Sequence, residues 1–209
     1  MTNTIFWNVD TQYDFMRDDG KLSVPGAESI EPNLKRLTEY AREHDTKVVS
    51  TRDWHTPASR EFSDTPDFVA TFPPHCLEGT PGAEYVPATK PTNPYVIDWR
   101  DRKFDEREVH SRRDIVISKD AFDVFAGNPH TDGAVYELQP KRAIVYGVAT
   151  NYCVNHAVQG LLERGVEVYV VQDAIKDIPN CDIKEFMDAQ WKAKGVRLTS
   201  TDSIDEIVR

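Results

Sequence analysis

Among the residue types able to do chemistry in this chain, Cys153 has the most telling neighbours. Apolar Ala143 to Tyr146 reads as a buried strand, Gly147 breaks it, and Thr150 and Asn151 are N-capping types before a helix from Val154 to Arg164. The spacing puts Cys153 in the first turn of that helix, at the carboxyl end of a strand. There the partial positive charge of the helix N-terminus favours a thiolate, and unpaired N–H groups of the turn can hold a developing oxyanion. A free cysteine is also often a small buried hydrophobe. His156, one turn further along the same helical face, offers a Cys–His dyad as another pairing, and equally suits an ordinary helix position.

Metal chemistry is suggested by Asp53-Trp-His55, which follows the β-rich run Lys47 to Arg52. Side chains two apart on extended backbone project to the same side, as a shared ion requires. His75, braced by Pro73 and Pro74, is the natural third ligand. One aspartate with two histidines leaves coordination positions open, the catalytic rather than the structural pattern. Cys76, the neighbour of His75, is expected to point away and pack. Two further strand ends carry charge: Asp10 after Thr4–Val9, and Lys119 closing Asp114–Lys119. Each of these residues also has a plain reading. Asp10 can cap a turn, Asp53 and His55 can be polar surface, and Lys119 can face solvent.

The elements that must position these residues alternate along the chain. Strands are expected at Thr4–Val9, Lys47–Arg52, Tyr95–Asp98, Asp114–Lys119, Ala143–Tyr146, Val166–Val171 and, at an edge, Val196–Thr199. Helices are expected at Ile30–His44, Thr131–Leu138, Val154–Arg164, from Cys181 or Asp182 to Lys194, and Ser203–Val208, with Phe104–Arg113 helical or surface and Ala121–Gly127 an aromatic loop. Such alternation implies right-handed βαβ crossovers and a three-layer α-β-α fold with a mostly parallel, Rossmann-like central sheet. Parallel strands deliver their carboxyl ends to one rim, where open α/β sheets place their ligands. Asp10, Lys119, Cys153 and the metal candidates therefore converge.

Residues 56–95 differ in character, because eight of the 13 prolines fall between Pro57 and Pro94. Phe62, Phe68, Phe72 and Tyr85 argue against disorder, which makes this long segment a binding loop. The 209 residues, 39% hydrophobic, suit a single domain spanning 1–209. A net charge of −10 argues against nucleic acid and anionic membrane as partners. No run reaches the ~18 apolar residues of a membrane span, and the polar Met-Thr-Asn-Thr start does not read as a secretion signal. Three cysteines without paired spacing fit a reducing compartment, with the cytoplasm as default. Cys181 is expected to pack at a helix start, Trp7 and Trp191 in the core or an interface, and His44, His110 and His130 at the surface.

Taken together, Asp10-x-Gln-x-Asp-Phe15, Thr51-Arg-Asp-Trp-His55, Phe72-Pro-Pro-His-Cys-Leu-Glu-Gly-Thr-x-Gly-Ala-Glu84, Lys119 and Gly147-Val-Ala-Thr-Asn-Tyr-Cys153 resemble the isochorismatase-like cysteine hydrolase family, most of all its nicotinamidase members. The resemblance covers most of the chain, from Thr4 to about Asp173. It implies a catalytic triad of Asp10, Lys119 and Cys153, and metal ligands Asp53, His55 and His75 holding a divalent ion, zinc foremost, with manganese or iron as alternatives. It further implies a cis peptide at Val148–Ala149, oxyanion donors at Ala149 and Cys153, and Phe15 and Phe72 against a substrate ring. The implied substrate is a small-molecule amide, nicotinamide first, opened through a thioester, in a homo-oligomer. Phe72 stands where many nicotinamidases carry Trp, Asn151 where they carry Asp, and the further histidine some have after Asp-x-His is absent from Thr56–Asp64. The rival readings are a related amidase or isochorismatase-type hydrolase with another small substrate, and a binding protein that keeps the fold without turnover. Cys153 tells against the isochorismatase reaction, and the presence of all three triad residues tells against the binding protein.

Overall fold

Thr4–Val9 (β1), Val48–Asp53 (β2), Tyr95–Ile97 (β3), Asp114–Lys119 (β4), Arg142–Val148 (β5), Glu167–Lys176 (β6) and Arg197–Thr199 (β7) form one sheet in a computed structural model that describes residues 3–208. Its order is β3-β4-β2-β1-β5-β6-β7, and every neighbouring pair runs parallel. Alternating side chains explain the layering. In β1, Ile5, Trp7 and Val9 enter one apolar cluster and Phe6 the other, while β5 sends Ala143 and Val145 one way and Ile144, Tyr146 and Val148 the other.

The first cluster is closed by Thr131–Leu138 (as α5 in chain order) and by Asn155–Glu163 (α6), the second by Glu31–Glu43 (α2) and Ile204–Val208 (α8). The shorter helices are Tyr13–Met16 (α1), Glu106–Ser111 (α3), Val124–Gly127 (α4) and Ile183–Gln190 (α7). Asp105, Asp123 and Asp182 start α3, α4 and α7 by accepting from backbone N–H groups of the first turn. Trp7 and Trp191 are fully buried. Among the described residues no helix is long and apolar enough to cross a membrane. The polar start at Met1 and Thr2 lies outside the described residues.

Three expectations are corrected. The strand does not stop at Gly147 but runs to Val148, because Gly147 (φ 120°) lets β5 pass the β1 backbone where a Cβ would lie 2.1 Å from the Val9 carbonyl oxygen. Ala121–Gly127 is not all loop, since it contains α4. Cys181 is exposed rather than packed. Residues 54–94 are ordered by local pairings: His55 bridges Leu77, Phe62 bridges Phe72, and Gln12 bridges Tyr85.

Candidate active site and metal centre

The carboxyl ends of β1, β2, β4 and β5 lie side by side at the middle of the sheet, and the register does the rest. Asp53 and Lys119 are Cα partners, and Val9 pairs with both Thr51 and Gly147. Asp10, one residue past Val9, accepts from Thr51 Oγ1 at 2.6 Å. Lys119, fully buried, brings Nζ to 2.9 Å from Asp10 Oδ2 and 3.8 Å from Cys153 Sγ, and pairs with Asp53 Oδ1. The three expected triad residues therefore meet around one ammonium.

Each group titrates accordingly. Burial raises the Asp10 carboxyl, with Asp53 adding to the rise while Lys119 and Thr51 oppose it. Burial alone would also raise Asp53, but Lys119 holds it well below the ordinary carboxylate value. Burial disfavours the Lys119 ammonium, yet Asp10 and Asp53 outweigh that and push it well above its ordinary value. The Cys153 thiol is pushed well up by burial, with Lys119 pulling the other way. Burial thus opposes the thiolate that the position in the chain favours. The geometry is corrected: Cys153 sits in a π-type turn, Thr150–Val154, broken at Tyr152 (φ −124°, ψ −105°), and α6 begins only after it. Asn151 caps nothing there. Its amide holds the 178–180 segment, donating to the Ile178 and Asn180 oxygens and accepting from Ile178 N. The Val148–Ala149 peptide is cis. His156 pairs with Asp123 at 3.5 Å, so the charged neighbour of Cys153 is Lys119 and not a histidine.

Beside the triad, Asp53, His55 and His75 bring ligand atoms within 4.8 Å of one another. The imidazole tautomers follow from acceptor-only partners. His75 Nδ1 lies 2.8 Å from the Pro73 carbonyl oxygen and His55 Nδ1 2.7 Å from Asp120 Oδ1, so each Nδ1 carries the proton. Both Nε2 atoms are left bare and face Asp53 Oδ2, at 3.6 Å from His55 and 3.5 Å from His75. His55 Nε2 is buried without a hydrogen-bond partner among the described residues. Two lone pairs aimed at one carboxylate repel unless a cation lies between them, and this donor set suits a divalent ion.

An apolar pocket opens beside both centres, lined by Phe15, Leu22, Val24, Phe72, Phe122 and Ile178, with Glu61, His75, Ala149, Tyr152 and Cys153. The Isochorismatase domain family matches residues 4–110 and 98–203. The chain belongs to the isochorismatase family. It is 27% identical over 170 residues to the nicotinamidase/pyrazinamidase of Mycobacterium tuberculosis, covering 79% of this chain and 82% of that protein. It is 29% identical over 218 residues to a nicotinamidase of Acinetobacter baylyi, covering 94% and 92%. The crystal structure of Pyrococcus horikoshii pyrazinamidase in complex with zinc matches at 27% identity and a TM-score of 0.73, over 95% of this chain and 99% of that one.

This isochorismatase-family site also rests on residues to which the motifs assign no role. Gln12 fixes the Asp53 backbone, donating to its carbonyl oxygen and accepting from its N–H, both at 2.7 Å. Asp14 Oδ2 accepts from Cys76 N at 2.7 Å, next to His75, and holds Cys76 in a left-handed conformation (φ 44°). Cys76 is fully buried, as expected. Glu61 is buried and brings Oε2 to 3.9 Å from His55 Nε2, with its carboxyl raised by burial and by Asp53. An acid followed by others in one motif signals only turn chemistry, and no spacing marks which carboxylate turns inward.

Gly82 tests the Asp14 anchor, because a Cβ there would lie 2.3 Å from the Asp14 carboxylate. Gly82→Ala is expected to push that carboxylate off Cys76 N and lose about 1–3 kcal/mol, the penalty of an unsatisfied buried group. Urea unfolding measures it, and a midpoint equal to wild type would refute the anchor.

Proposed function

We propose that this isochorismatase-family protein is a metal-containing cysteine amidohydrolase that converts nicotinamide and water to nicotinate and ammonia. The observation carrying this reading is the Lys119 ammonium held between Asp10 Oδ2, at 2.9 Å, and Cys153 Sγ, at 3.8 Å, with Cys153 itself on the wall of an apolar pocket. The nicotinamidase relatives support the substrate.

Since burial favours the Cys153 thiol over its thiolate, the reaction needs a base. Asp10 takes the thiol proton, and Lys119 stabilises the thiolate as it forms. Sγ attacks the carboxamide carbon, and the oxyanion is held by the N–H groups of Ala149 and Cys153. Asp10 returns its proton to the amine, ammonia leaves, and a thioester remains. Asp10 then deprotonates a water, which releases the acid and restores the thiol. Phe15 and Phe72 supply apolar faces for the ring. Asp53, His55 and His75 would hold the divalent ion, zinc first. When bound, the ion serves as a template for a ring nitrogen. Three free cysteines support a reducing, cytoplasmic setting, and the whole chain is read as one domain.

Metal-replete protein incubated with nicotinamide is expected to release ammonia, and a chelated sample is expected to lose most of that release. No ammonia from the replete protein would reject nicotinamide and redirect the search to other small amides.

A further inference from the structure

We infer that Asp120 is a positioning residue for the metal centre: its carboxylate fixes the tautomer and orientation of His55 and raises the affinity of the site for its ion. The inference rests on the metal reading above. β4 ends by sending consecutive side chains to two centres, Lys119 into the triad and Asp120 to His55. Asp120 Oδ1 stands 2.7 Å from His55 Nδ1, while Ser59 Oγ, the other group there, stands at 3.1 Å and is uncharged. His55 is fully buried, which screens that nitrogen from bulk solvent. A carboxylate can only accept, hence the proton sits on Nδ1 and Nε2 is bare toward Asp53 Oδ2 and Glu61 Oε2. A negative charge behind the imidazole also makes Nε2 the stronger donor to a cation.

The test uses full-length protein stripped of metal. Zinc affinity is measured by competition with a chromophoric chelator, and site geometry by the absorption spectrum after cobalt(II) loading. Asp120→Ala is expected to weaken zinc binding by about 10–100-fold and to change the cobalt spectrum. Asp120→Asn, whose amide oxygen still accepts from Nδ1–H, is expected to fall between it and wild type. Asp123→Ala removes a carboxylate of the same segment that faces His156 instead, and is expected to bind zinc like wild type. Affinity of Asp120→Ala within about twofold of wild type, well short of a ligand-orienting effect, would overturn the assignment. Equal losses in Asp123→Ala would overturn it as well, by tracing the effect to the segment. Wild type that takes up no zinc would bring down both the metal reading and this one. Wild type that binds zinc but releases no ammonia from nicotinamide would overturn only the substrate.

Discussion

Cys153→Ala is expected to abolish ammonia release while the protein stays folded. Cys153 is buried, its Sγ meets Lys119 Nζ at 3.8 Å, and among the described residues it forms no disulfide. Removing the sulfur leaves Asp10 with no proton to take and the carboxamide with no attacking atom. A fall in kcat of at least about 10⁴-fold follows from loss of the nucleophile in a group that acts as a unit. Denaturing mass spectrometry of the wild type during turnover should trap an acyl adduct on Cys153, and the variant should show none. His156→Ala is expected to keep the rate near wild type, because His156 is engaged with Asp123. Retention of substantial activity by the alanine variant at position 153, or its loss in the His156 variant, would sink the triad and revive the Cys–His dyad.

The second large effect belongs to Lys119→Met, which keeps the side-chain volume and deletes the charge. Asp10 and Asp53 are both fully buried, and each counts Lys119 among its strongest charge partners. Stripping one member from a buried ion cluster costs about 3–5 kcal/mol. The pH dependence has a definite sign. Without the ammonium, burial and mutual repulsion raise both carboxyl pKa values above the unfolded value of about 3.9. A folded state that binds more protons than the unfolded one loses stability as pH rises. Metal-free Lys119→Met should therefore be closer to wild type at about pH 4–5, just above that unfolded value, than at neutral pH, as read by urea unfolding. Equal stability of the two proteins at neutral pH would show that the ammonium is not holding the carboxylates.

Much of this arrangement was legible before any coordinates. β1 and β4 occupy the residues expected, Thr4–Val9 and Asp114–Lys119, because their apolar centres, Ile5 to Trp7 and Ile115 to Ile117, sit in a parallel sheet buried on both faces and leave little ambiguity. Asp10, Asp53, Lys119 and Cys153 stood out since each is a reactive type at the end of such a run. The supporting residues did not. Gln12, Glu61 and Asp120 lie in turns or just past strands, and Asp14 in the one-turn helix α1, where polar side chains ordinarily cap or meet water. Only tertiary placement turns them inward. Asn151 misled for the same reason, as a good capping type whose amide is instead claimed by Ile178 and Asn180. The turn at Tyr152 carries no signal in its residue types.

The pairing of β1 with β5, Thr4 beside Arg142 through Val9 beside Gly147, also sets when the proposed catalytic centre can exist. A chain emerging from the ribosome at about 5–20 residues per second presents β1, β2 and β4 well before β5. During that interval β1 is the bare edge of a partial sheet, with its hydrogen-bonding groups open to other strands. Arrival of Cys153, the proposed nucleophile, beside Asp10 thus coincides with closure of that edge. A chain truncated before Arg142 is left with an adhesive rim and no reactive centre.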